Sequence, residues 1–167
     1  MKIVNLSFFI AFVLMISIGC GKDEPVHHVI VGEWTMTETH CNDGVILHDV
    51  LGQEEIQTFS YHGTEYNATT TFTENPNQFF SSGYYKYEYT TTYLGDTETT
   101  ILQSDAILGT GQWSIEDDTL FQTQAGNMKE FVILELNESK MRLRLDLNTT
   151  EGGLPTTGTV FLNFEKN

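Results

Sequence analysis

Four of the chain's seven tyrosines, Tyr85, Tyr87, Tyr89 and Tyr93, share one parity. An extended backbone turns successive side chains to opposite faces, so these phenols fall on one side and Lys86, Glu88, Thr90 and Thr92 on the other. Such a row could stack on sugar rings or line a cavity. The plainer reading, and the one favoured by the residues alone, is cross-strand packing, because aromatic residues are good strand formers. Tyr66, Trp113 and Phe131 are the rings that could complete a cavity with Tyr85, Tyr87 and Tyr89, although Trp34 and Trp113, near glycines in strands, more often plug a barrel end. Lys140, Arg142 and Arg144 could grip a carboxylate if they faced inward. Met141, Leu143, Leu145 and Leu147 hold the stronger claim on the core, which turns the basic residues to solvent. His40-Cys41 with His48 is the one cluster of metal-ligating types, but it lacks the ligand count and spacing of a zinc site, so no metal is expected. Glu116-Asp117-Asp118 falls at a turn and lacks the spacing of a calcium loop. Gly109-Thr110-Gly111 has no third glycine and enters a strand rather than a helix. No Gly-x-Ser-x-Gly elbow occurs. Neither a catalytic residue nor a cofactor is indicated, and the chain is expected not to be an enzyme.

The elements that must position these residues read as strands. Thr64 to Phe72 alternates, with Tyr66, Ala68, Thr70 and Phe72 on one face. Trp113 and Ile115 precede an Asp117-Asp118 turn and then Thr119-Leu120-Phe121. Val132, Leu134 and Leu136 lead to an Asn137-Glu138-Ser139-Lys140 hairpin loop, and Val160, Leu162 and Phe164 share a face near the end. Turn signals stand at His62-Gly63, Asn75-Pro76-Asn77, Gly95-Asp96, Gly126-Asn127 and Gly152-Gly153. Val45 to Gln57 is ambiguous and could hold a short helical turn. Eight or nine half-apolar strands must cover their apolar faces and manage their edges. The expected fold class is therefore all-β, an up-and-down antiparallel barrel of about eight strands, with a two-sheet sandwich as the alternative.

A length of 167 residues suits one core. With 8 Lys+Arg against 23 Asp+Glu the net charge is −15, which repels phosphate backbones and argues against nucleic acid as a partner. Lys2 and the apolar run Leu6 to Ile18 form a secretory signal too short to span a bilayer. Its end, Ser17-Ile18-Gly19-Cys20, resembles the lipobox of bacterial lipoproteins. That resemblance implies cleavage before Cys20 and diacylation of its thiol (palmitate-type chains). The expected organisation is a signal peptide over 1–19, a lipidated tether over 20–30 and a barrel domain over 31–167. Gly21-Lys22-Asp23-Glu24 looks like the signal that sends some Bacteroidetes lipoproteins to the outer face of the outer membrane. The expected location is thus the outer membrane, lipid-anchored, facing the periplasm or the cell surface. With Cys20 acylated, Cys41 stands alone and no internal disulfide can form.

Gly32-Glu33-Trp34 is similar to the Gly-x-Trp signature that opens the first lipocalin strand. Gly111 to Leu120 and Phe131 to Leu143 resemble two hairpins of Bacteroidetes lipocalin-like lipoproteins. Gly32 and Trp34 are thereby marked as structural signature residues. Lipocalins lay an Arg from the last strand over the signature Trp. Here the last strand has no Arg, so the resemblance assigns that place to Arg142 or Arg144 as a cation–π partner. Asp118-Thr119-Leu120 also fits a short O-glycosylation acceptor pattern. The function implied is a non-enzymatic envelope lipoprotein whose barrel binds a small, partly apolar ligand. Tyr66, Tyr85, Tyr87, Tyr89, Trp113 and Phe131 would line the cavity, and the acidic charge favours a neutral or cationic ligand. The alternative is an adhesion or assembly module that recognises glycan or protein on its outer surface. Membrane attachment at Cys20 is the one definite partner, and the oligomeric state is left open.

Overall fold

Two-residue alternation of apolar and polar side chains produces nine strands among the described residues of the computed structural model, which are 29–105, 108–151 and 153–167. They are β1 (Gly32–Val50), β2 (Gln53–Thr73), β3 (Gln78–Tyr93), β4 (Asp96–Asp105), β5 (Thr110–Glu116), β6 (Thr119–Gln124), β7 (Asn127–Leu136), β8 (Lys140–Glu151) and β9 (Leu154–Lys166). The signal and anchor positions, Cys20 included, lie outside the described residues. Every pairing is antiparallel, and contacts of β1 with both β2 and β9 close the sheet on itself. Strands β4 and β5 are two halves of one stave, since β3 pairs with β5 through Gln78–Phe80 and with β4 through Tyr84–Tyr93. The result is a single ring of eight staves running up and down, not a sandwich. Closure leaves no sheet edge at the level where all eight meet.

Residues 45–57 are strand, tight turn and strand. Leu51 and Gly52 take positive φ, the Asp49 carboxylate accepts the Gly52 amide at 2.8 Å, and Val45 to Val50 pairs with Gln53 to Thr58. Cross-strand hydrogen bonding overrides the helical option there. His62-Gly63 is a register shift inside β2 rather than a turn. A similar shift between Ile133 and Glu135 breaks the expected alternation of β7. Ile133 and Leu136 pack on the core, whereas Leu134 is exposed.

The lower end, where the turns at 74–77, 117–118 and 137–139 lie, is sealed by side chains. Trp34, Phe72, Phe79, Leu120, Phe131, Met141, Leu143 and Leu162 are buried there, and Trp113 meets Phe72 edge-on at 6.0 Å. Ile30, assigned above to the tether, is also fully buried, and its carbonyl accepts the Trp34 indole N–H at 2.7 Å. Neither arginine reaches Trp34. Arg142 is exposed and Arg144 pairs with Asp146 at 3.1 Å, because both face outward from a strand whose Met and Leu take the inside. Lys166 of the last strand lies over the Trp34 ring instead, its Nζ 5.2 Å from the centroid, and donates to the Val29 carbonyl at 2.9 Å. Gly32 makes this possible: a Cβ there would fall 2.7 Å from Lys166 Cε. The Gly-x-Trp spacing therefore leaves room for a cation to cross the indole.

Gly83 marks the residue where β3 passes from β5 to β4. Its φ is +85°, and a Cβ would sit 1.7 Å from the Asn67 carbonyl oxygen. Gly83→Ala should lower the unfolding free energy by more than about 2 kcal/mol in urea melts. Lys166→Met keeps the apolar stem but removes the ammonium, and should cost about 1–2 kcal/mol. Unchanged stability in Lys166→Met would show that the lysine does not hold Trp34.

Candidate functional site

The staves differ in length, and that difference opens the upper end. Strands β1 to β3 are 19, 21 and 16 residues long, whereas β6 has 6 and turns back at Ala125-Gly126. Above this low lip β4 bonds only to β3, and β8 beyond Arg144 bonds only to β9. The upper mouth is therefore a trough with a side opening between β4 and β8.

The tyrosines line its tall wall. Cross-strand pairing places Tyr66 opposite Tyr85, Tyr61 opposite Tyr89 and Phe59 opposite Thr91, all on the inner face. Ring centroids lie 5.5 Å apart for Tyr85–Tyr87, 6.5 Å for Tyr87–Tyr89, 5.3 Å for Tyr61–Tyr87 and 5.7 Å for Phe59–Tyr89. Tilted and edge-to-face contacts at these distances favour a fixed surface. Tyr85 is buried, while Tyr61, Tyr66, Tyr87 and Tyr89 keep part of each ring open to the trough. The Tyr66 hydroxyl is held by the Thr39 amide at 3.0 Å. Leu102 of β4 extends the wall beside Tyr87. The opposite face carries Lys86 paired with Glu65 at 2.8 Å and a Thr90–Thr99 hydroxyl bond at 2.9 Å, so the two faces divide as the alternation implies.

A polar group crowns the wall. Tyr93 donates to the Glu55 carboxylate, His48 Nε2 lies 2.8 Å from Gln57 Oε1, and the His48 and Tyr93 rings approach to 5.1 Å. Sequence spacing gave no sign of this cluster, because its members come from three strands whose register was unknown. His40 and Cys41 do not join His48 in a metal site. His40 faces outward against Phe161 at 5.0 Å, and Cys41 is buried inward with its thiol pushed up by burial.

Trp113 and Phe131 do not meet the tyrosine wall. Trp113 is 4 % exposed and donates to the Thr73 carbonyl at 2.9 Å, and Phe131 is fully buried, so both belong to the floor. The inner-face parity of the two residues is correct. Their height in the barrel was not readable, because period-two patterning carries no information about depth.

The closed ring of meandering strands, the sealed floor and the Gly-x-Trp corner agree with a comparison against known families. The family described as lipocalin-like domain matches residues 30–143. The chain belongs to the lipocalin-like family. No curated protein and no solved structure matches it. The match begins at the buried Ile30 and ends within β8, so it takes in the whole tyrosine wall and the floor apart from its β9 residues, such as Leu162.

Burial pushes the Tyr61, Tyr66, Tyr85 and Tyr89 phenols above their ordinary value near 10, and the hydrogen bond to Glu55 raises Tyr93. These groups are neutral in both states below pH 10, so they add no pH dependence there. Above pH 10 the unfolded chain releases its phenolic protons first, and folding stability falls as pH rises. A near-ultraviolet titration should show these tyrosines ionising late, together with unfolding. Full ionisation of all tyrosines near pH 10 in a still folded protein would contradict the burial of the wall.

Proposed function

We propose that this chain is a non-enzymatic, lipid-anchored protein of the cell envelope whose upper trough binds a small, partly apolar, neutral molecule against the tyrosine wall. The observation that carries this reading is the wall itself. Five tyrosines and Phe59 form a continuous inner surface above the floor, with Phe59 and Tyr85 buried and the other four tyrosines partly open. Partly open aromatic faces inside a concave mouth are what an apolar ligand covers, and their hydroxyls fix its orientation. Membership of the lipocalin-like family fits a barrel of this use. Anchoring rests on the apolar signal run and Cys20, and two acyl chains there would make a stable attachment.

A second reading, recognition of glycan or protein on the outside, has one observation in its favour. A hollow of about 350 Å³ lies where Thr58, Ser60, Thr90 and Thr92 border the irregular Asn42–Asp43 segment of β1. Four of its nine lining residues bear hydroxyls, and Phe59 at the end of the aromatic wall is among the others.

Binding of an apolar fluorescent dye to the full chain separates the two. Tyr87→Ala should weaken the dye by about tenfold or more while the circular dichroism stays unchanged, and this corresponds to about 1.4 kcal/mol of lost contact. Equal affinity in wild type and variant would remove the wall from the account. For the anchor, Cys20→Ala should move the protein from the detergent-soluble membrane fraction to the aqueous one. Retention in the membrane would exclude lipidation at Cys20 as the attachment.

A further inference from the structure

Strand β4 borders the side opening of the trough with one edge unpaired. All 10 of its residues, Asp96 to Asp105, pair with β3, and no described strand bonds to its other side. An open edge of this length offers a row of N–H and C=O groups to any extended chain. Proteins commonly block such edges with bulges, lysine or proline, or cover them. The β3–β4 ladder runs without a register shift, and Asp96–Asp105 contains neither lysine nor proline. Every residue of the strand except Ser104 is exposed. Its centre, Thr99 to Gln103, is uncharged, and Ile101 and Leu102 there are 65 % and 38 % exposed. Threonine and branched apolar residues in such a stretch favour strand pairing.

The charges choose the partner. Asp96, Glu98 and Asp105 are the strand's ionisable side chains, and none pairs with a cation among the described residues. A second copy of this chain would set the same carboxylates, and its own net charge of −15, against this edge. A basic segment meets them favourably. Pairing with Tyr93 and Thr91 turns Asp96 and Glu98 to the inner face, where they border a hollow of about 330 Å³ with Gln57, Thr91, Tyr93 and Leu94. A lysine or arginine entering it finds two carboxylates and an aromatic ring. We infer that the free edge of β4 takes up an extended, basic peptide segment of another protein as an added antiparallel strand. Register sets the recognition pattern. Side chains opposite Leu102, Glu98 and Asp96 all face inward, so an apolar residue is followed four and six positions later by lysine or arginine. This partner lies beyond the small-molecule reading, because it is held by backbone groups outside the tyrosine wall.

The test adds a fluorescein-labelled peptide as long as β4 to the full chain in detergent and follows its anisotropy. The peptide is threonine and valine throughout, except for leucine opposite Leu102 and lysine opposite Glu98 and Asp96. It should bind saturably, and the free-edge amides of β4 should exchange hydrogen about tenfold or more slowly in the complex. Replacing both lysines by glutamate should weaken binding about tenfold or more, because attraction at two cross-strand positions becomes repulsion. Glu98→Lys in the protein should favour the glutamate peptide instead, with an unchanged melting temperature because the Glu98 carboxylate has no partner to lose. Saturable binding without slowed exchange in β4 would overturn the assignment and reduce the contact to ionic adsorption. Equal affinity for the two peptides, no change of preference in Glu98→Lys, or no binding at all would overturn it as well. So would a dimer of the free chain whose β4 amides are already protected, in favour of a second copy on this edge. The apolar dye reports on the tyrosine wall and not on β4, so the failure of one claim leaves the other standing.

Discussion

Backbone hydrogen bonding around a ring of unequal staves is the constraint on which the rest of the molecule depends. A closed sheet satisfies both edges of every strand only where all staves are present. Here that condition holds at the lower end and fails above the β6–β7 turn. Below it, inward side chains meet from all sides and fill the space with Trp34, Phe72, Phe131 and their neighbours. Above it, the long strands have nothing opposite them but the low lip. Their inner faces must be both stable and partly wet, and tyrosine meets that demand with an apolar ring and a polar rim.

The same constraint explains which parts of the molecule were legible in the residues. Alternation identified the strands after Thr64, the phenol row and the outward turn of Arg142 and Arg144, since each depends only on local parity. The closed ring followed from the number of half-apolar strands and the need to hide edges. Register and height did not follow. Trp113 and Phe131 have the right parity for the tyrosine wall but stand at the level of the floor. Residues 45–57 lacked clean alternation because the end of the β1–β2 hairpin extends beyond the closed ring and buries little. The cation over Trp34 was sought as arginine on an earlier strand, whereas Lys166 already sits on the strand adjacent to β1.

The crown of His48, Glu55, Gln57 and Tyr93 and the free edge of β4 were invisible for a related reason. Each is fixed by which strands meet, and single polar residues within half-apolar runs look unexceptional one at a time.

The central claim is that the trough above the floor holds a small molecule. Native mass spectrometry of the full chain, released in detergent from its own cells, tests it most directly. The account predicts a reproducible added mass that disappears on organic extraction and is missing from the Tyr87→Ala protein. A clean unliganded mass, under conditions that preserve other weak complexes, would contradict it and turn attention to the outer surface.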